Sequence, residues 1–175
     1  MELYFLIIAL CIATTGAAQD VRGRKIPNWL TYTGLLAALA VRLLAAGLPG
    51  LTAGLLGLLL GGGIFYLLFL LGGMGGGDVK LIAAVSAWAG AAQTVNLLIA
   101  AALAGGVLAL ATMLFYKTVR QTLMNTLELI RHHLQSGLRP HPELNVREPG
   151  ALRVPYGVAI AAGTLYCLGS SLWRG

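Results

Sequence analysis

The chain has 175 residues, of which 58% are hydrophobic and only 10% are charged, and its formal net charge is +6. This apolar content excludes a soluble globular domain of ordinary composition and predicts an all-α, polytopic integral membrane protein. Residues 1–175 are expected to form a single membrane-embedded domain.

The first apolar run, residues 3–18, has the length of a secretory signal. A signal peptide carries its positive charge ahead of the apolar stretch, whereas here Glu2 precedes the run and Arg22, Arg24 and Lys25 follow it. The run is therefore predicted to be an uncleaved anchor with its amino terminus outside.

Five further spans bring the predicted number of transmembrane helices to about six, since about 20 apolar residues cross the hydrocarbon core. Their predicted bounds are about 29–46, 51–71, 80–92, 95–116 and 154–173. A turn at Gly47-Leu48-Pro49-Gly50 separates the second span from the third, and the polar cluster Gln93-Thr94-Asn96 is the predicted turn after the fourth.

Small side chains inside the spans predict close helix packing. Glycines four residues apart (Gly50 and Gly54, Gly57 and Gly61) and the pair Gly105-Gly106 allow helices to approach in lipid. The two cysteines, Cys11 and Cys167, have no CxxC spacing and are interpreted as small packing residues.

Basic residues cluster on one side of this topology. The loops at 19–28, 72–80 and 117–153 hold ten of the twelve Lys and Arg residues, and only Arg42 and Arg174 lie elsewhere. The positive-inside rule then places these loops in the cytoplasm. Topology therefore explains the net charge, and no nucleic-acid partner is expected.

The cytoplasmic segment 117–153 contains apolar residues spaced by three or four: Val119, Leu123, Leu127, Ile130, Leu134 and Leu138. This spacing predicts an amphipathic helix on the membrane surface. Two interpretations remain open: a solvated or headgroup-bound helix without a specific partner, and a docking site for a cytoplasmic assembly protein.

The chain contains only two aspartates, Asp20 and Asp78, and each is predicted at the cytoplasmic end of a span. A carboxylate near the bilayer is costly, and two at one depth could share a proton because like charges at short range cannot both ionise easily. Such a pair is typical of aspartyl proteases, in which one acid activates water and the other donates a hydrogen bond to the substrate carbonyl.

Each aspartate also has a structural interpretation. Asp20 could be a helix-end residue paired with Arg22 or Arg24, and Asp78 could be the N-cap of the fourth helix. The preceding glycines Gly75-Gly76-Gly77 give the backbone freedom for a peptide to approach, and no GK[ST] follows that would indicate a phosphate loop.

Three motifs resemble those of the prepilin peptidases, specifically the small forms that serve tight-adherence (Tad/Cpa) pili. They are Asp20-Val21-Arg22-Gly23-Arg24-Lys25-Ile26-Pro27-Asn28, the GxGD element Gly75-Gly76-Gly77-Asp78 with Val79-Lys80-Leu81, and Val154-Pro155-Tyr156-Gly157-Val158-Ala159. Their order along nearly the whole chain is more specific than GxGD alone.

The resemblance implies that Asp20 and Asp78 are the catalytic acids of a bacterial inner-membrane endopeptidase. Its substrate would be a pilin or pseudopilin precursor, cut after a glycine at the cytoplasmic face. It further implies an active-site loop of Gly75, Gly76, Gly77 and Lys80, with supporting residues Arg22, Pro27, Asn28, Pro155, Tyr156 and Gly157. The larger relatives, which also methylate their product, carry a cytoplasmic domain with cysteines that has no counterpart in this sequence. We therefore expect no methyl transfer, no metal and no cofactor.

Other functions fit the residues less well. A rhomboid-like protease needs a membrane-embedded Ser and His, whereas His132, His133 and His141 all lie in one polar loop, and no HExxH zinc motif occurs. The alternative of another class is a non-enzymatic transporter or a pilus-assembly scaffold with paired membrane carboxylates. A transporter is expected to hold its acids near the midplane, often between inverted repeats.

Overall fold

The structure is a computed structural model that describes residues 2–137, 144 and 154–174. Within these residues the chain forms only helices: α1 (Glu2–Gly23), α2 (Asn28–Leu70), α3 (Gly76–Ala89), α4 (Ala91–Phe115), α5 (Val119–Ser136) and α6 (Tyr156–Arg174). The predicted all-α class is therefore confirmed for the described part of the chain. The predicted residues Leu138 and His141 lie outside it.

Three helices are long and apolar enough to cross a membrane, judged by length and composition over the described residues. They are Leu3–Gly23 in α1, Asn28–Leu70 in α2 and Ala91–Phe115 in α4. The chain is therefore a membrane protein.

The 43 residues of α2 form two antiparallel arms, 28–46 and 48–70. Gly47 has a φ of 61° and a ψ of −151°, a conformation that only glycine adopts without strain. A Cβ on Gly54 would lie 3.4 Å from the Leu39 side chain, although a straight helix would hold these residues about 22 Å apart. The turn predicted near Gly47 is confirmed.

The glycines of the second arm pack against α3 and the first arm. Gly50, Gly54, Gly57 and Gly61 are all buried. A Cβ on Gly57 would overlap the carbonyl oxygen of Ser86 in α3. We call this contact of four glycines the glycine seam; it confirms the predicted close packing.

The predicted contact at Gly105-Gly106 is correct for one residue only. The ring of Tyr156 lies directly against Gly105, where a Cβ would be 2.5 Å from the ring carbon Cε2, whereas Gly106 has nothing within 4 Å of its Cβ position. Cys167 is buried, as its predicted packing role requires, but Cys11 is exposed.

The break between α3 and α4 lies at Gly90, not at Gln93-Thr94-Asn96. Gly90 has a φ of 78°, which suits glycine, and it caps both helices. The hydroxyl of Thr94 donates to the Gly90 carbonyl at 2.8 Å, so this polar residue stays inside α4. The polar cluster predicted the break a few residues too late, because side chains of the cluster form hydrogen bonds within α4 and so do not end the helix.

Candidate active site

A cavity of about 700 Å³ lies where several helices begin or end. Asp20 near the end of α1 and Asp78 at the start of α3 both line it, together with Phe69 from the second arm, Ala109 from α4 and Tyr156 from α6. Residues far apart in sequence therefore meet in one site.

Asp20 lies inside α1, not in the predicted loop after it, because α1 continues to Gly23. Arg22 in the last turn suits the negative end of the helix dipole. The helix stops where Arg24 takes a positive φ of 52° and Pro27 follows. The last turn of α1, which extends beyond the predicted end of the span at residue 18, holds the Asp20 side chain beside α6.

Asp20 is 9% exposed, and the Gly157 N–H in the first turn of α6 donates a hydrogen bond of 3.1 Å to its Oδ2. A Cβ on Gly157 would lie 3.2 Å from the Asp20 Cβ and 3.1 Å from the Ala17 Cα. Glycine therefore lets the start of α6 approach α1 closely enough to make this bond. The positive end of the α6 dipole favours a negative charge there.

Asp78 is the third residue of α3, whose N-cap is Gly75. The N-cap position proposed for Asp78 is therefore wrong by three residues, although its side chain does take part in capping. Its Oδ2 accepts a hydrogen bond of 3.3 Å from the Gly75 N–H. Because Gly75 and Gly76 lack side chains, the carboxyl group remains accessible from the cavity.

The two carboxyl groups interact electrostatically. Burial, and after it the negative charge of Asp20, raise the pKa of Asp78 to about 6, against the opposing effect of the Gly75 hydrogen bond. Asp78 precedes the first residue of the predicted span 80–92 and therefore lies outside that span. At a pH below about 6 it is mostly protonated, so the pair can hold a shared proton.

The connection between α1 and α2 is joined to α3 at the mouth of the cavity. Lys80 Nζ donates a hydrogen bond of 3.0 Å to Asn28 Oδ1 and lies 5.3 Å from the centre of the Tyr32 ring. The Cβ of Ile26 lies 3.3 Å from the Cβ position of Gly77. These contacts link the first two sequence motifs.

Tyr156 links the third motif to α4. Its hydroxyl donates to the Ala101 carbonyl at 3.3 Å, and its ring meets Phe65 edge to face at 5.6 Å between centroids. The absence of a side chain at Gly105 makes room for the ring. These contacts fix the start of α6, and with it the donor to Asp20.

The cavity contains most of the predicted site residues. Those that line it beside the two aspartates are Pro27, Asn28, Gly75, Gly76, Gly77, Lys80 and Tyr156. Gly157 does not line the cavity but contacts Asp20. Arg22 is exposed and does not line the cavity, and neither does Pro155. Arg22 follows Asp20 by two residues and so points away from it around the helix.

Several lining residues were not predicted as site residues. Arg24, Lys25 and Ile26 belong to the first quoted motif, so their positions offered a signal. Val154 likewise belongs to the third quoted motif. The others, Phe69, Gly73, Met74, Gly105 and Ala109, were interpreted as span, loop or packing residues, and nothing in their local sequence distinguishes them. They became part of the site by helix packing alone.

Among the described residues no group of three or more His, Cys, Asp or Glu side chains is placed to hold a metal ion.

Comparison with protein families gives a match. A sequence model of the type IV leader peptidase family matches residues 5–110, which is more than half of the chain and includes both aspartates. The comparison with curated proteins found no match, and neither did the comparison with solved structures. The resemblance to prepilin peptidases is thereby confirmed at the level of the family, which implies a peptidase. The chain belongs to the type IV leader peptidase family.

Proposed function

We propose that this protein is a membrane aspartyl endopeptidase that removes the leader from pilin or pseudopilin precursors by cutting after a glycine. Asp20 and Asp78 act as the catalytic pair. The enzyme is of the small Tad/Cpa pilus type, needs no metal and carries out no methyl transfer.

One observation supports this proposal more than any other. The only two aspartates of the chain, 58 positions apart, line the same cavity, and the negative charge of Asp20 helps to raise the pKa of Asp78. Each accepts a backbone N–H at the start of a helix, Asp20 from Gly157 and Asp78 from Gly75. A pair held in this way has its geometry set before any substrate arrives.

Hydrolysis follows from one proton shared by two acids. The ionised carboxylate takes a proton from a water molecule as that water attacks the scissile carbonyl carbon. The protonated carboxyl donates a hydrogen bond to the carbonyl oxygen, where negative charge develops. The tetrahedral intermediate then breaks its C–N bond as a proton passes to the leaving amine. We assign the two roles to the pair and not to either residue.

The direction of the helices supports an active site on the cytoplasmic face of the inner membrane. α1 ends near the cavity, α3 and α6 begin there, and the two arms of α2 start and finish there. Counting both arms, we propose six spans with the amino terminus on the opposite side. Arg24, Lys25 and Lys80 line the cavity, which agrees with a cytoplasmic position.

The proposal is tested by co-expressing a candidate prepilin with the wild-type enzyme, Asp20→Asn or Asp78→Asn in a strain that lacks its own peptidase. Cleavage is followed by the change in precursor size, and membrane levels of each variant are measured. Both substitutions keep the side-chain volume and remove the charge, so we expect cleavage to fall by at least about 10³-fold. Glu128→Gln, the same chemical change on α5, serves as the matched control and should cleave normally.

The outcomes separate the possible functions. Loss of cleavage in both Asp variants at normal abundance, with an active Glu128→Gln control, supports the aspartyl pair. Cleavage by both Asp variants would overturn the catalytic assignment. If the wild type cuts no precursor, the peptidase proposal itself fails and a transporter or scaffold becomes the better explanation.

A further inference from the structure

α5 carries an apolar stripe that is open to its surroundings. Its members are Val119, Leu123, Leu127, Ile130 and Leu134, which are between 38% and 82% exposed. At about 100° per residue, they fall within an arc of about 80° on the helix. A stripe this narrow and continuous is costly to leave in water.

The other described helices do not cover this stripe. Of these helices, α5 contacts only α4, the element that precedes it. Among the described helices, the stripe is therefore left available to a surface outside the bundle.

The neighbouring end of α4 indicates which surface this is. α4 is long and apolar enough to cross a membrane, and its last turns expose Leu110, Leu114 and Phe115. Tyr116, also exposed, follows at the position where aromatic residues mark the boundary between hydrocarbon and headgroups. Only two residues, Lys117 and Thr118, separate it from α5, so the stripe begins close to the end of a helix that can cross the membrane.

The charges around the stripe complement an anionic headgroup layer. Arg120 and Arg131 lie about 100° and 120° around the helix from Val119, directly beside the stripe. Glu128, the only acidic residue of α5, lies about 180° around from Val119. Cations beside an apolar face, with the acid turned away, are typical of helices that lie in the membrane interface.

We infer that α5 lies flat in the headgroup layer of the bilayer that α4 crosses, with its apolar stripe toward the hydrocarbon. Arg120 and Arg131 bind anionic lipid headgroups. This inference is independent of the peptidase chemistry, since it uses no residue of the cavity.

Single fluorescent labels on the full chain test this placement. Cys11→Ala removes the exposed native thiol, and this parent, which keeps the buried Cys167, measures background labelling. Leu123→Cys places an environment-sensitive NBD label on the stripe, and Gln121→Cys, on the opposite side of the same helix, is the matched control. Each labelled protein is placed in nanodiscs of phosphatidylcholine, with and without phosphatidylglycerol as the anionic lipid.

The expected result is a blue-shifted, brighter emission at position 123 that lipid-borne quenchers reduce, and a water-like emission at 121. Equal access of water-soluble quenchers to both labels would overturn the inference in favour of a solvated helix. A label at 123 that neither quencher reaches would overturn it in favour of a protein partner or a second copy.

The binding of anionic headgroups by Arg120 and Arg131 has a separate test. Phosphatidylglycerol should increase the blue shift at position 123, and the double substitution Arg120→Gln and Arg131→Gln should abolish that increase while the label remains in lipid. If the blue shift is the same in both lipid compositions, the assignment of the two arginines to anionic headgroups is wrong.

Discussion

The glycine seam and the cavity use the same residue type for opposite purposes. Along the seam, Gly57 has no room for even one extra carbon, because a Cβ would overlap the Ser86 carbonyl oxygen. At the cavity, the nearest atom to a Cβ on Gly76 would be Phe69 Cε2 at 3.5 Å, an ordinary contact distance. Glycine brings helices together in the first region and leaves space in front of a carboxyl group in the second.

This difference shows how a bundle of apolar helices can support a polar site. The seam and the buried bonds near it hold α3 firmly against both arms of α2. Helix termini then converge at the cavity, where backbone N–H groups are available for Asp20 and Asp78. Substitutions in the seam should therefore act on stability, and changes at the cavity should act on activity.

Gly57→Ala should have the largest effect on stability. The added methyl group has no space between the second arm and α3, and we expect a loss of about 3 kcal/mol in the free energy of unfolding. Thermal unfolding in detergent measures it. Gly63→Ala, in the same arm but with nothing within 4 Å, is the matched control. Equal unfolding temperatures for the two variants would show that the seam is not tightly packed.

Activity at the cavity should depend on pH. The raised pKa of Asp78, about 6, means that the pair loses its shared proton as the pH rises through this value. We expect kcat/KM for a precursor peptide to fall about tenfold for each pH unit above it. Cleavage that stays constant from pH 6 to 8 would contradict this prediction.

The cause of this pKa can be measured directly because the chain has only two aspartates. Asp20→Asn leaves one aspartate, so carbon NMR of ¹³C-labelled aspartate reports on Asp78 alone. Removing the negative charge of Asp20 should lower the pKa of Asp78. An unchanged value would mean that the charge of Asp20 does not contribute to the pKa of Asp78.

Trp88→Phe tests the buried polar contacts beside the seam. The indole N–H of Trp88 donates to the Gly34 carbonyl at 2.8 Å, and the side chain is 3% exposed. Loss of this bond and of part of the ring should cost about 1–2 kcal/mol in unfolding free energy without changing the pH profile of cleavage. Trp173→Phe, at a residue that is 92% exposed, should be neutral.

Of these substitutions, Lys80→Met should have the smallest effect, and we expect that effect on cleavage activity. Losing the hydrogen bond to Asn28 loosens the joint between the α1–α2 connection and α3. We expect kcat/KM to fall about fivefold, which corresponds to about 1 kcal/mol. Asn28→Asp keeps an acceptor for Lys80 and should remain active, and Lys117→Met, outside the cavity, is the control. A loss as large as that of Asp78→Asn would instead indicate a direct role for Lys80 in the chemistry.

Local signals were sufficient to predict most of the helices and to single out the two aspartates that line the cavity. The apolar runs predicted the regions of α1, α2, α4 and α6, and Gly47 and Pro49 marked the reversal inside α2. The position of the last turn of α1 could not be predicted in this way. Gln19 to Arg22 can form helix or loop, and the choice depends on the contact between Asp20 and the start of α6.

Composition and motif spacing were enough to indicate a helical membrane protein with two unusual carboxylates, because hydrophobicity and the scarcity of acids are properties of the chain itself. Packing determined which residues surround those carboxylates. Gly157 becomes a donor to Asp20, and Phe69 and Ala109 become cavity walls, only when helices distant in sequence meet. Such contacts depend on the depth and rotation of each helix in the bundle, which side chains of several helices set together.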